Sequence, residues 1–206
     1  MRVGVQVFSD AIQRGWSEDF QNALEEVKHQ VRSEFSGKEV GEDSRIQAVR
    51  RMYSRCGTDP TKFRPCSEAL VRRVLKNQPF PRIFPAVDIG NFIALKYRVP
   101  LGVYNLDAIS PPVEIRLGNE DESLLAIGER VFHTRGRIVA VDRLGVFGGP
   151  TADSLRTAIH QETTHILILY YAPAEIPLLP PMEEMHTWMS RLTDASLRFF
   201  RILPSE

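Results

Sequence analysis

The residues of this chain best suited to chemistry are scattered polar groups rather than one generic catalytic signature. Asn91 carries an amide that can either pin a loop or contact a substrate. The tract Gly145-Val146-Phe147-Gly148-Gly149-Pro150 is either a tight strand-to-loop turn or backbone that a ligand can approach closely. Arg156 follows Asp153 by three residues. The two can pair with each other, or the guanidinium can bind a phosphate or a substrate carbonyl. Arg64 and Glu68 have the i,i+4 spacing of a surface pair near a helix start, and Asp88 suits a helix cap. Walker A, GxGxxG, HExxH and GxSxG patterns are absent. His160 and His165 are too far apart for one helical turn, and no cysteine cluster stands near them. This donor set gives the expectation of no metal and no cofactor.

These groups must be positioned by a chain of 206 residues, a length that fits one decorated domain. Hydrophobic content is 43% and charged content 25%, ordinary for a globular protein. Cys56 and Cys66 form no disulfide framework. The opening residues lack a basic segment followed by an apolar run, and no stretch reaches the roughly 18 apolar residues of a membrane span. The expected location is therefore the cytoplasm, with no membrane partner. Net charge is zero, but its distribution is uneven: residues 45–98 hold twelve Lys/Arg against three Asp/Glu, while both flanks are acidic. Such a block either attracts phosphates or is neutralised by its flanks after folding. Arg51 with Arg55, and Arg72 with Lys76, stand one turn apart on helix faces and are the candidate RNA contacts.

Periodicity and caps predict a strand at 3–7, then helices at 17–35, 44–55, 66–76 and 86–97. Pro79, Pro81 and Pro85 form a stiff connector. Beyond Pro100 short strands are expected at 113–117, 130–132, 137–141 and 144–147, with an apolar central strand at 166–171. A final helix is expected over 182–200, with Leu197 and Phe200 inward. Helices followed by a sheet predict the α+β class. Residues 1–60 read as N-terminal helical decoration, 61–172 as the core and 173–206 as a C-terminal helix.

The segment from Phe63 to Ile109 carries a denser signal. It holds Arg64-Pro65, Ser67-Glu68-Ala69-Leu70 and Arg72-Arg73-Val74-Leu75, then Pro81-Arg82-Ile83, Pro85, Val87-Asp88 and Asn91. Pro100, Gly102, Tyr104, Leu106 and Asp107 follow. This pattern resembles the B3/4 editing domain of the bacterial phenylalanyl-tRNA synthetase β subunit, and more strongly the freestanding proteins made of that domain alone. The likeness continues through Asp153-Ser154-Leu155-Arg156-Thr157 to Glu162-Thr163 and covers most of 60–172. It implies a mixed, partly barrel-like sheet core flanked by helices. It also implies a pocket lined by a glycine-rich tract, with Asn91, Gly102, Gly145, Phe147, Gly148 and Gly149 as substrate contacts. Asp153, Arg156 and Thr157 are then the candidates for water or oxyanion contacts.

The resemblance implies hydrolysis, in trans, of an amino acid wrongly esterified to the acceptor end of a tRNA. An ester is already activated, so orienting water and stabilising an oxyanion suffice without a metal. Two positions depart from the synthetase. Gly102 replaces a histidine and is expected to leave room near the reacting centre. Ala158 replaces a glutamate that recognises the tyrosine hydroxyl, so tyrosine selectivity is not expected. A non-catalytic RNA-binding module and an amino-acid binder remain alternatives. The helix bearing Asn91 and the Gly145–Gly149 turn are expected to wall one cavity, reached by Asp153 or Arg156.

Overall fold

The computed structural model describes residues 1–204. Strand β1 (Arg2–Ser9) opens the chain and is followed by four helices. Helix α1 (Glu18–Glu34) starts where the Ser17 hydroxyl accepts the Phe20 N–H, and α2 (Ser44–Arg55) where Asp43 accepts the Arg45 and Ile46 N–H groups. Helices α3 (Cys66–Leu75) and α4 (Pro85–Tyr97) follow; α4 begins on Pro85, whose missing N–H costs nothing at that position. It ends on Arg98, a left-handed residue (φ 58°) whose buried guanidinium donates to the Leu95 and Lys96 carbonyls and pairs with Glu34.

The remaining strands are β2 (Leu101–Asn105), β3 (Glu114–Leu117), β4 (Ser123–Ala126), β5 (Arg130–His133), β6 (Ile138–Asp142), β7 (Gly145–Gly148) and β8 (Ile166–Ala172). Helix α5 (Leu179–Thr193) and strand β9 (Ser196–Leu203) complete the chain. The fold is α+β. One four-stranded sheet has the order β2-β8-β1-β9, a second sheet the order β3-β6-β7, and β4 with β5 forms a hairpin; all these pairings are antiparallel. The main core lies where α4 and α5 cover the first sheet and α1 packs on α4; Trp188 meets Phe20 and Phe92 edge-on, and Phe20 lies tilted against Phe92. Inside it the buried Gln6 amide donates to the Met182 carbonyl at 3.0 Å and accepts from the Tyr170 hydroxyl at 2.6 Å, so both its nitrogen and its oxygen have a partner. No helix among the described residues is long and apolar enough to cross a membrane.

Two expected elements change. The final helix stops at Thr193, because Asp194 turns left-handed (φ 56°), and the chain returns as β9 against β1. Phe200 is therefore exposed on an edge strand and Leu197 only half-buried, whereas a helix would bury both. The N-terminal segment is likewise not only helical, since β1 sits between β8 and β9 inside the sheet. Local periodicity cannot see a pairing between residues nearly a chain length apart. Residues 205 and 206, the end of the expected C-terminal helix, lie outside the described residues.

Candidate active site

Helix α4 closes onto β2 at a distance only glycine allows. A Cβ on Gly90 would stand 2.7 Å from the Val103 side chain. That approach brings the next residue, Asn91, to the edge of a cleft of about 290 Å³. Its other walls are the connector before α4 (Ile83, Phe84), β2 (Leu101, Val103), the tip of the β4–β5 hairpin (Ile127), and the loop after β7. That loop contributes Asp153, Leu155, Ala158, Ile159 and His160. The walls are pinned through their backbones. The Ile83 N–H donates to the Asp88 carboxylate at 2.9 Å, and the Ile127 N–H to the Asp153 carbonyl at 3.0 Å.

Asp153 is half-buried in this cleft, and its carboxyl accepts a 2.7 Å hydrogen bond from the Tyr104 hydroxyl. Desolvation pushes its pKa up to about 6, against the opposing pull of Tyr104 and of the Gly149 N–H. Tyr104 is fully buried between two glycines. A Cβ on Gly102 would fall 1.9 Å from its hydroxyl oxygen, and one on Gly148 would fall 2.5 Å from its ring. Phe147 packs edge-on against the same ring, with centroids 5.1 Å apart. The space over Gly102, expected to be open, is thus filled by Tyr104. Burial also raises the Tyr104 and Tyr171 phenols and pushes the Cys66 thiol up to about 12, so these groups stay protonated beside Asp153. The Tyr171 hydroxyl is buried without a hydrogen-bond partner among the described residues.

The other candidates fall elsewhere. Arg156 grips Asp142 with both terminal nitrogens (3.0 and 2.9 Å) and donates to the Ala108 carbonyl, clamping its 3₁₀ turn to β6. Thr157 is fully buried and donates to the Phe147 carbonyl. Gly145 forms the β6–β7 turn at φ 114°, with open space beside it, while Phe147 and Gly148 back Tyr104. The glycine-rich tract therefore supports the cleft from behind, through Tyr104 and the Gly149 N–H, and does not line it. Asp88 does not cap α4. Its buried carboxylate instead receives the Ile83 N–H and Trp16 Nε1 (2.8 Å), and burial raises its pKa to about 6. Tyr104 stood in the sequence only as a motif position two residues after Gly102, with no role given to it; its packing against Gly148, far along the chain, is visible only in the folded structure.

A second cleft, of about 430 Å³, shares Asn91 with the first and is lined by Arg64, Arg72, Arg73, Lys76, Cys66 and Thr151 among others. Glu68, 1% exposed, holds Arg50 in a two-pronged pair at 2.8 and 2.7 Å and Arg72 at 2.8 Å, with Arg64 more distant at 3.5 Å. Burial works against ionisation of Glu68, but Arg50 and Arg72 hold its pKa below the usual range. Arg72 and Lys76 are thus at this cleft. Arg51 and Arg55 line a different one, with Met1, Pro173 and Glu175. The basic block is split between two surfaces. Among the described residues no group of three His, Cys, Asp or Glu is arranged to hold a metal ion.

The model of the B3/4 domain family matches residues 48–203. The chain belongs to the B3/4 domain family. It is similar to the phenylalanine–tRNA ligase β subunit of Coxiella burnetii, at 27% identity over 62% of this chain and 16% of that protein. The corresponding subunit of Photorhabdus laumondii is 26% identical over 64% of this chain and 16% of its own length. The chain therefore spans about a sixth of the curated relatives it matches. An N-terminal fragment of the phenylalanyl-tRNA synthetase β-subunit from Pyrococcus horikoshii aligns over 98% of this chain and 50% of its own, at 11% identity and a TM-score of 0.49.

Proposed function

We propose that this B3/4 domain binds the aminoacylated acceptor end of a tRNA and hydrolyses a mischarged aminoacyl ester in trans. The observation that carries the reading is the meeting of two clefts at Asn91: a basic one and an apolar one containing a carboxyl raised to about 6. Arg64, Arg72, Arg73 and Lys76 suit the terminal phosphates and ribose. The aminoacyl group then passes Asn91 into the apolar cleft, where the Asn91 amide donates to the ester carbonyl oxygen.

Above pH 6 Asp153 is ionised and takes a proton from a water. The water oxygen attacks the carbonyl carbon, the carbonyl electrons move onto its oxygen, and the tetrahedral adduct collapses with loss of the ribose oxygen. That oxygen takes up the proton, leaving a free amino acid and uncharged tRNA. Tyr104 is a positioning residue: with the Gly149 N–H it fixes the carboxylate, whose remaining lone pairs face the water. The relatives named as phenylalanine–tRNA ligase β subunits support tRNA as the partner. A non-catalytic RNA-binding module is favoured by one observation, namely that Arg156 and Thr157 are both committed to bonds within the fold.

Deacylation of a panel of mischarged tRNAs by wild type and Asp153→Asn separates the two readings. Release abolished by the substitution, with tRNA affinity retained, supports hydrolysis. Background release from every tRNA, with binding intact, leaves the binding module. Tyrosine-charged tRNA is not expected to be cleared well above background, because Ala158 in the cleft wall offers a phenol no partner.

A further inference from the structure

We propose that the acyl group accepted by this domain carries an uncharged aliphatic side chain. The proposal rests on the editing-type reading, and the cleft beyond Asn91 gives its chemistry. Ile83, Val87, Leu101, Val103, Ile127 and Ile159 come from five separate parts of the chain and converge on one space of about 290 Å³. Its ionisable lining groups are Asp153 and His160. Asp153 is held by Tyr104 and the Gly149 N–H and keeps its remaining acceptor capacity for the attacking water, and His160 is exposed. No lysine, arginine or glutamate lines the cleft among the described residues. A hydroxyl, amide or charge carried past Asn91 against the aliphatic walls loses its water and meets few polar partners in return.

The rim points the same way. Ile83 is 57% exposed and Ile127 60%, and both line this one cleft. Both are held by backbone hydrogen bonds, so their positions do not depend on burying their own side chains. An aliphatic ligand group seated between them removes apolar surface from water on both sides, worth about 25 cal/mol for each Å² covered. Tyr104 fills the space over Gly102 on the other face of β2 from Leu101 and Val103, so neither Gly102 nor Tyr104 adds a polar group to the lining.

The test uses the full chain and non-hydrolysable 3′-aminoacylamino-3′-deoxyadenosines carrying valyl, leucyl, seryl, aspartyl and lysyl groups, with calorimetric Kd values. Valyl and leucyl analogues should bind at least about tenfold more tightly than the other three. The double variant Ile83→Ser with Ile127→Ser changes exposed side chains only, and should cut that preference to below about threefold, since each seated isoleucine covers a few methylenes of the ligand. Equal affinities, a preference for a polar or charged analogue, absence of binding by all five, or an unchanged preference in the double variant would overturn the proposal. Deacylation is read separately. A wild type that binds the aliphatic analogues selectively but releases no amino acid from any tRNA leaves the cleft chemistry standing and removes the hydrolytic reading. Hydrolysis without aliphatic preference does the reverse.

Discussion

Asp88 braces the Ile83 wall of the cleft and Asp153 lines the cleft from another wall, yet both carboxyls are raised to about 6 by desolvation. Their surroundings differ in what remains free. Asp88 is 1% exposed and saturated by two N–H donors, the Ile83 amide and the Trp16 indole, with the Arg82 guanidinium stacked over that indole at 4.1 Å. Asp153 also has two donors, the Tyr104 hydroxyl and the Gly149 N–H, but it is only half-buried and opens on a cleft. A raised pKa marks desolvation alone; access to a space where a substrate can sit is what turns a carboxyl into a candidate base. Asp88 holds a wall, whereas Asp153 faces what the wall encloses.

The sharpest way to break this contrast is to neutralise each carboxyl in turn. Asp153→Asn should lower single-turnover deacylation by roughly 10²–10⁴-fold, the range for loss of a general base. Asp88→Asn should change it only a few-fold. Equal losses in both variants would show that Asp153 is no more catalytic than Asp88.

The two basic surfaces allow a second contrast. Replacing Arg72 and Lys76 with Glu should weaken tRNA binding and flatten its salt dependence, by about one unit of log–log slope for each phosphate that is no longer neutralised. The same change at Arg51 and Arg55, which line a separate cleft, should do much less. Filter binding across a salt series distinguishes them, and matching effects would mean that the RNA spans both faces.

Tyr104→Phe removes the hydroxyl that donates to Asp153 and so raises the Asp153 pKa. The acid limb of the deacylation pH profile should move above pH 6 while the maximal rate falls less than in Asp153→Asn. A buried acceptor losing its donor also costs about 1–3 kcal/mol, measurable by urea unfolding. An unmoved acid limb would detach Tyr104 from the chemistry.

The smallest expected effect concerns stability against pH. The folded-state pKa of Asp88 lies above the ordinary 3.8, so the fold binds this proton more tightly than the unfolded chain does. Its contribution is complete below about pH 4 and is lost as pH rises toward and through about 6. Asp88→Asn should reduce that decline, leaving the part due to Asp153, which titrates over the same range, and urea midpoints across this pH range report it. A variant with an undiminished decline would place the titrating group elsewhere.

Much of the scaffold was legible along the chain. Ser17 and Asp43 mark helix starts by cap chemistry, and the ILILYY run of β8 announces a buried strand. The motif segments around Asn91 and Asp153 also pointed to the B3/4 domain family. Those signals are local: a cap, a period or a motif is written within a few residues of where it acts. The pairing of β1 with β9 was not legible, nor were the filling of the Gly102 space by Tyr104 and the commitment of Arg156 to Asp142. Each of these depends on a partner brought close only when the sheets close and the loops dock. Side-chain type states what a residue can bond; the packed neighbours decide whether that capacity is spent inside the fold, as for Arg156, or left facing a cleft, as for Asp153.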